Sequence, residues 1–327
     1  MKRFDSIRPY TDSEVQSVLQ QLSTNRDVVK AFISATKFGF LTKIPFSVWI
    51  ASKILQTKIK NIHTINDYQS IFENLVSNMI DTKTSGFTCN GFQNIKPNMS
   101  YLYMSNHRDI TVDPALLNYM LHQNNFKTTN IAVGNNLMSE AWASDLMRLN
   151  KSFIIDRTGK SKREIYQGLN LASEYIEDSI LEKNEPIWIA QKQGRAKDGL
   201  DKTDPALLKM IHLINRKSIP ISDYFNSLCF IPVAVSYEFD PNDLFKANEL
   251  HAIETHQEYI KTDKEDLNSI ANGISGQKGL VNLNIGSPIN FIDNSYEACA
   301  NLISRSILDL YELQLSLIHI SEPTRRR

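Results

Sequence analysis

Apolar residues recur at helical spacing early in the chain and in short strand-like runs later. SEVQSVLQQL (13–22) and QSIFENLVSNMI (69–80) carry apolar positions at the three- and four-residue intervals of a helix face. With no strand-like alternation nearby, residues 1–85 read as a helical N-terminal subdomain. From about residue 86 the pattern changes. YLYMSN, NIAVG, KSFIIDR, PIWIAQ, FIPVAVSYE and LVNLNIG are short runs rich in aliphatic and aromatic residues. Between several of them lie longer amphipathic stretches: PALLNYMLH, residues 138–149, REIYQGLNLASEYIEDSILE and PALLKMIHLIN. Strands alternating with helices predict an α/β layer, a mostly parallel sheet flanked by helices, over residues 86–314. Ligands of such sheets bind outside the carboxyl ends of the strands.

One apolar segment stands apart. FGFLTKIPFSVWIASKIL (38–55) is interrupted by Lys43, Pro45 and Lys53, so it is too broken for a membrane span. It reads as a core helix pair, with a segment lying on a membrane surface as the alternative. The last stretch, LSLIHISEPTR (315–325), resembles a translated sequencing adapter. Residues 315–327 are therefore expected to be a foreign tail, with the natural protein continuing past residue 314.

Charge narrows the function classes. Lys+Arg and Asp+Glu both number 36, giving a formal net charge of zero. Nucleic-acid binding needs a basic surplus, so none is expected, and any phosphate-binding cluster must be local. The cysteines Cys89, Cys229 and Cys299 form no C-x-x-C pair, so no zinc site or disulfide framework is expected, and no metal. They read as core residues of a protein in a reducing cytosol. No signal peptide is visible at the N-terminus.

Polar residues at the ends of the predicted strands carry the candidate chemistry. After YLYMSN comes SNHRDITVD (105–113). Its His-Arg-Asp begins like a protein-kinase catalytic loop, but the position of the metal-binding Asn holds Pro114, and the chain has no G-x-G-x-x-G and no D-F-G. The kinase reading fails. His107 with Asp113 instead makes a candidate general base and the carboxylate that fixes its tautomer. Asp113-Pro114 also reads as an ordinary helix start, Asp at N-cap and Pro at N1. KSFIIDR ends at Arg157, whose guanidinium suits a phosphate in a bidentate fork; Lys160 and Lys162 after it read as a solvated charge run. PIWIAQ leads into KQGRAKDG, where Gly194 permits a tight turn before Arg195. Pro232 inside FIPVAVSYE marks a strand start, a bulge or an edge and shapes a wall.

These stretches, in this order, resemble the motifs of the glycerophospholipid acyltransferase family, which acylates glycerol-3-phosphate and lysophosphatidic acid. N-H-x-x-x-x-D is matched by Asn106, His107 and Asp113; the strand ending in Arg by Phe153, Ile154, Asp156 and Arg157; E-G-x-R by Gln193, Gly194 and Arg195; the apolar stretch around a Pro by Ile231, Pro232 and Val233. The resemblance covers about residues 86–240. Two departures stand out. Five residues separate His107 from Asp113 where the family has four, which makes Asp109 the alternative partner. Gln193 replaces the usual Glu and loses its charge.

The resemblance implies a glycerol-3-phosphate acyltransferase-like fold and acyl transfer from a thioester to an alcohol. His107 takes the hydroxyl proton and Asp113 orients it. Arg157 and Arg195 hold the acceptor's phosphate, with Lys151 or Lys197 as helpers, and Gln193, Gly194 and Pro232 complete the substrate-binding set. Backbone N–H groups stabilise the oxyanion. It implies no cofactor, with acyl-CoA or acyl-carrier protein as co-substrate. The acceptor is a glycerophosphate or lysophospholipid, and the protein is expected in the cytoplasm, with peripheral contact at the inner face of the cytoplasmic membrane. Transfer to another lipid acceptor and a non-catalytic lipid-binding relative remain the alternatives. A hydrolase with a G-x-S-x-G elbow ranks last, because the chain has no such elbow.

Overall fold

A computed structural model describes residues 3–34, 46–135, 141–199, 201–255, 259 and 265–312. The tail from residue 315 and residues 38–45 of the apolar segment lie outside the described residues. The chain divides into two compact units, one of residues 1–74 and 133–154, the other of residues 75–132 and 155–327.

The first unit is mainly helical. It holds α1 (Asp12–Thr24), α2 (Arg26–Ser34), α3 (Ser47–Ile59), the first half of α4 (Ile65–Lys83) and α6 (Ala141–Leu149). Thr11 and Glu14 form a capping box that starts α1 by satisfying its free backbone donors. Val15, Val18, Leu19 and Leu22 then fall on one face of α1 and bury against Ile62, Tyr68 and Leu149. Val29 and Ile33 of α2 bury against Ala51 of α3. The inner face of α3 is thus core, but its outer face is not. Phe46, Trp49, Ile50 and Ile54 are 80, 64, 53 and 47 % exposed.

The sheet has seven strands: β1 (Gly86–Asn90), β2 (Leu102–Ser105), β3 (Asn130–Gly134), β4 (Ser152–Ile155), β5 (Ile187–Ala190), β6 (Phe230–Tyr237) and β7 (Leu280–Ile285). Their order is β1-β7-β6-β2-β5-β3-β4. β2 runs parallel to β5 and β6, β1 to β7, and β3 to β5, while β6 and β7 are antiparallel. The predicted α/β class, a mostly parallel sheet flanked by helices, is what forms. Every residue of β2 and β6 is buried, as expected of interior strands that read as continuous apolar runs. Helices of the second unit include α5 (Val112–Gln123), α7 (Lys162–Glu177), α8 (Pro205–Ile211), α9 (Ile221–Leu228), α10 (Asp243–Glu254), α11 (Glu265–Ser275) and α12 (Tyr296–Leu308). No described helix is long and apolar enough to cross a membrane.

Three local expectations change. β4 stops at Ile155, so Arg157 lies in the following loop rather than at the strand end. α5 starts at Val112 with Thr111 as its N-cap, which puts Asp113 and Pro114 inside the first turn. Proline is tolerated there because first-turn N–H groups have no intrahelical acceptor. Pro232 sits third in β6, an interior strand, and not at its start or at a sheet edge. Its carbonyl accepts from Gly286 N at 2.8 Å one position past the last β6–β7 pair, so the missing donor falls at the end of that ladder and removes only the return bond there.

Candidate active site

The loop between β2 and α5 is folded around one carboxylate. Asp113 is fully buried. Its Oδ2 accepts from Arg108 N at 2.6 Å and Asp109 N at 2.9 Å, and lies 3.0 Å from His107 Nδ1. Its Oδ1 accepts from the Tyr237 hydroxyl at 2.7 Å. A buried anion needs such donors to be tolerated. Two backbone N–H groups already donate to Oδ2, so it acts as an acceptor toward the imidazole as well. Nδ1 of His107 then carries the proton, and Nε2 is the basic nitrogen. The His107 side chain is 13 % exposed, and its ring stands edge-on to Trp188 with centroids 5.6 Å apart.

The extra residue in the spacer is absorbed by Asp109. Its Oδ1 accepts from Thr111 N at 3.0 Å and Val112 N at 2.9 Å, a local turn that starts α5. Asp109 thus turns toward the start of α5, and the carboxylate 3.0 Å from His107 Nδ1 is that of Asp113. Burial, then the charge of Asp113, raises the Asp109 carboxyl above the ordinary range.

A set of buried side chains braces this loop. Asn106 clasps β6 through both amide atoms, donating to Val235 O at 2.9 Å and accepting from Val235 N at 2.8 Å. The Tyr311 hydroxyl accepts from Asn106 Nδ2 at 2.7 Å and Arg108 Nε at 3.0 Å, and donates to Asp201 Oδ2 at 2.8 Å. Lys246 donates to the Arg108 carbonyl at 2.8 Å and pairs with Asp240. The two residues flanking His107 are thus held from β6, α10 and the segment after α12.

The other motif residues are tied to the same loop by one side-chain bond and one backbone bond. Arg157 Nη1 donates to Gln193 Oε1. Gly194 has φ +77°, a left-handed turn in which its lack of a side chain costs nothing. Just beyond Arg195, Ala196 N donates to the His107 carbonyl at 2.7 Å. The loop bearing Gln193, Gly194 and Arg195 is therefore stitched to His107 at one end and to Arg157 at the other. Burial lowers the Arg157 guanidinium from its usual value, with Asp204 acting the other way. Arg195 Nη2 donates to Ser269 Oγ at 3.2 Å, while its Nη1 is buried with no hydrogen-bond partner among the described residues. Lys197, expected as a helper, is engaged with Glu249 at 2.6 Å. Lys151 lies in the first unit, in the left-handed turn before β4.

Thiol chemistry is disfavoured at this site. All three cysteines are free. Burial pushes the Cys89 thiol up to about 12 and the Cys299 thiol to about 11, and raises that of Cys229. A nucleophilic cysteine needs the opposite shift. Among the described residues no group of three or more His, Cys, Asp or Glu is arranged to hold a metal ion.

Residues 86–201 match the family model described as Acyltransferase. This region resembles an acyltransferase domain. The match supports the glycerophospholipid acyltransferase resemblance, and it takes in His107, Asp113, Arg157, Gln193, Gly194 and Arg195. Comparison with curated proteins gives no match. Among solved structures, the 1-acyl-sn-glycerophosphate (LPA) acyltransferase PlsC from Thermotoga maritima is similar at 12% identity, over 90% of this chain and 97% of that one, with a TM-score of 0.43. The signal recognition particle receptor FtsY from Elizabethkingia anophelis, in complex with GDP, is similar at 12% identity over 82% of this chain and 86% of that one, with a TM-score of 0.27. Neither likeness is close enough to carry weight beside the family match.

The candidate site also relies on residues that sequence reading missed. Tyr237, Lys246 and Tyr311 all lie beyond residue 201, outside the family match. Tyr237 ends the β6 run and so was within reach as another strand-end polar group. Lys246 and Tyr311 sit in ordinary amphipathic sequence and carry no local pattern that marks them.

Proposed function

We propose that this protein transfers a fatty acyl chain from a thioester, acyl-CoA or acyl-carrier protein, to a hydroxyl of glycerol-3-phosphate or lysophosphatidic acid. The observation that carries this reading is the His107–Asp113 pair, 3.0 Å apart on a carboxylate held by two backbone N–H groups and a tyrosine hydroxyl. His107 Nε2 takes the proton from the acceptor hydroxyl as its oxygen attacks the thioester carbonyl. The tetrahedral intermediate collapses by breaking the C–S bond, and the imidazolium returns the proton to the departing thiolate. Asp113 supports the imidazolium between the two steps. Arg157 and Arg195 bind the acceptor phosphate; a partly desolvated guanidinium and an unpaired buried Nη1 are suited to an incoming anion. Gln193 holds Arg157 in place.

The outer face of α3 supports peripheral binding to the cytoplasmic face of a membrane. Exposed Phe46, Trp49, Ile50 and Ile54 share it with exposed Lys53 and Lys58, and α3 has no acidic residue. An apolar face with lysines beside it and no opposing charge fits an anionic bilayer surface.

The test is thiol release from a long-chain acyl-CoA, with and without glycerol-3-phosphate or lysophosphatidic acid, for the wild type, His107→Ala and Asp113→Asn. The expected result is acceptor-dependent release that falls about 10²- to 10⁴-fold in His107→Ala. Release that is indifferent to His107, or no transfer to any phosphate-bearing acceptor, sinks the reading.

A further inference from the structure

We propose that Tyr237 is a positioning residue of the transfer: by donating to Asp113 Oδ1 it turns Oδ2 toward His107 and draws off part of the carboxylate's charge. The kinetic part of this inference rests on the acyl-transfer reading; the geometric part does not. Tyr237 closes the fully buried strand β6, and its hydroxyl lies 2.7 Å from Asp113 Oδ1. The opposite oxygen takes the His107 contact and both backbone donors. Without the phenol, the carboxylate loses its Oδ1 donor and its charge gathers on Oδ2. Burial first, and then Asp113, Asp109 and Asp240, raise the phenol well above its ordinary range, so it remains a donor at every working pH.

The charged groups around this cluster come from several elements. Asp109 and Arg108 share the loop with Asp113, Asp240 follows β6, Lys246 is on α10 and Lys278 precedes β7. Asp240 acts on Tyr237, Asp109 and Arg108; Lys278 faces Asp109; Lys246 answers Asp240, Arg108 and Arg195. Tyr237→Phe leaves all of these in place and changes only the donor.

The experiment compares wild type with Tyr237→Phe and with 3-fluorotyrosine installed at position 237, a stronger donor on the same ring. Acyl-CoA turnover is followed against pH, and the His107 Nδ1–H proton is observed by NMR, assigned by its loss in His107→Ala. In Tyr237→Phe, kcat is expected to fall about fivefold to tenfold. The acid limb of the rate profile moves to higher pH by about half a unit or more, because a fuller charge on Oδ2 holds the imidazolium more tightly. Fluorotyrosine moves the limb the other way. The Nδ1–H resonance shifts in opposite directions in the two variants. Lower activity with an unmoved acid limb and an unmoved resonance reduces Tyr237 to a packing residue and overturns the proposal. The NMR arm needs no turnover, so it decides the role of Tyr237 even if the wild type transfers no acyl group.

Discussion

Arg108 Nε donates to the Tyr311 hydroxyl at 3.0 Å, although 203 positions separate the two along the chain. The residue next to His107 is thereby anchored to the segment that follows α12. The same hydroxyl serves Asn106, on the other side of His107, so one phenol oxygen fixes both neighbours of the candidate base.

Tyr311→Phe removes that oxygen and keeps the ring. Arg108 Nε and one Asn106 N–H then lose a buried acceptor, each at a cost of about 1–3 kcal/mol. The expected outcome is a clear fall in thermal stability together with slower acyl transfer, because the His107 loop loosens. Tyr166→Phe, at a 45 % exposed residue, is the control and should leave both unchanged. Calorimetry and steady-state rates on the two variants check this; equal stability of both would show that the Tyr311 hydroxyl does not brace the loop.

Asp109 gives a pH prediction. Its folded carboxyl is raised by burial and by Asp113, so the folded state holds its proton more tightly than the unfolded chain does. The linked stability is fully present below the unfolded carboxylate value of about 3.9 and is lost as pH rises through the folded one. Asp109→Asn cannot lose a proton and still offers an acceptor to Thr111 N and Val112 N. The variant's stability relative to wild type should therefore improve with pH across that window. Denaturant melts at several pH values between 4 and 8 read it directly. A constant difference between the proteins means that Asp109 is not the titrating group.

Much of the sheet was legible in the sequence, because interior strands bury both faces and leave unbroken apolar runs. FIPVAVSYE became β6, and LVNLNIG, in which Asn282 and Asn284 alternate with apolar residues, became β7. β1 was not legible: GFTCN is short, polar at alternate positions and only partly buried, so it looks like a loop until β7 pairs with it. His107, Arg157 and the Gln193–Arg195 turn could be picked out because each follows a strand that announces itself. The choice between Asp113 and Asp109 could not be settled by spacing, since only the fold of the loop shows which carboxylate reaches His107 Nδ1. Tyr311 was invisible for a simpler reason: its partners are distant in sequence, and a lone tyrosine after a helix carries no periodicity.

Gln193→Glu tests the departure from the family pattern. The new carboxylate faces Arg157 and turns a hydrogen bond into an ion pair. Position 193 is exposed, where such a pair contributes about 0–1 kcal/mol and salt screens it. The pair competes with the acceptor phosphate for the guanidinium, so KM for the acceptor should rise about twofold to fivefold at low ionic strength while kcat holds. Raising the salt should shrink the difference. A large loss of kcat instead would assign Gln193 a part in the chemistry rather than in holding Arg157.

The α3 face predicts graded lipid binding. Trp49, Ile50 and Ile54 supply apolar area, and each lysine near an anionic surface adds about 1 kcal/mol. Vesicles of mixed anionic and zwitterionic phospholipid should capture the wild type, with a blue shift of Trp49 emission, and purely zwitterionic vesicles should capture it less. Trp49→Ser with Ile50→Ser removes about half of the exposed apolar stripe and should lower binding to both compositions. Lys53→Glu with Lys58→Glu should lower binding to the anionic vesicles alone, with an effect that fades in high salt as the surface potential is screened. The residues of α3 that pack inward, Ala51 among them, are untouched in both variants, so the fold of the first unit should survive. Undiminished binding in both variants would place the lipid contact elsewhere on the chain.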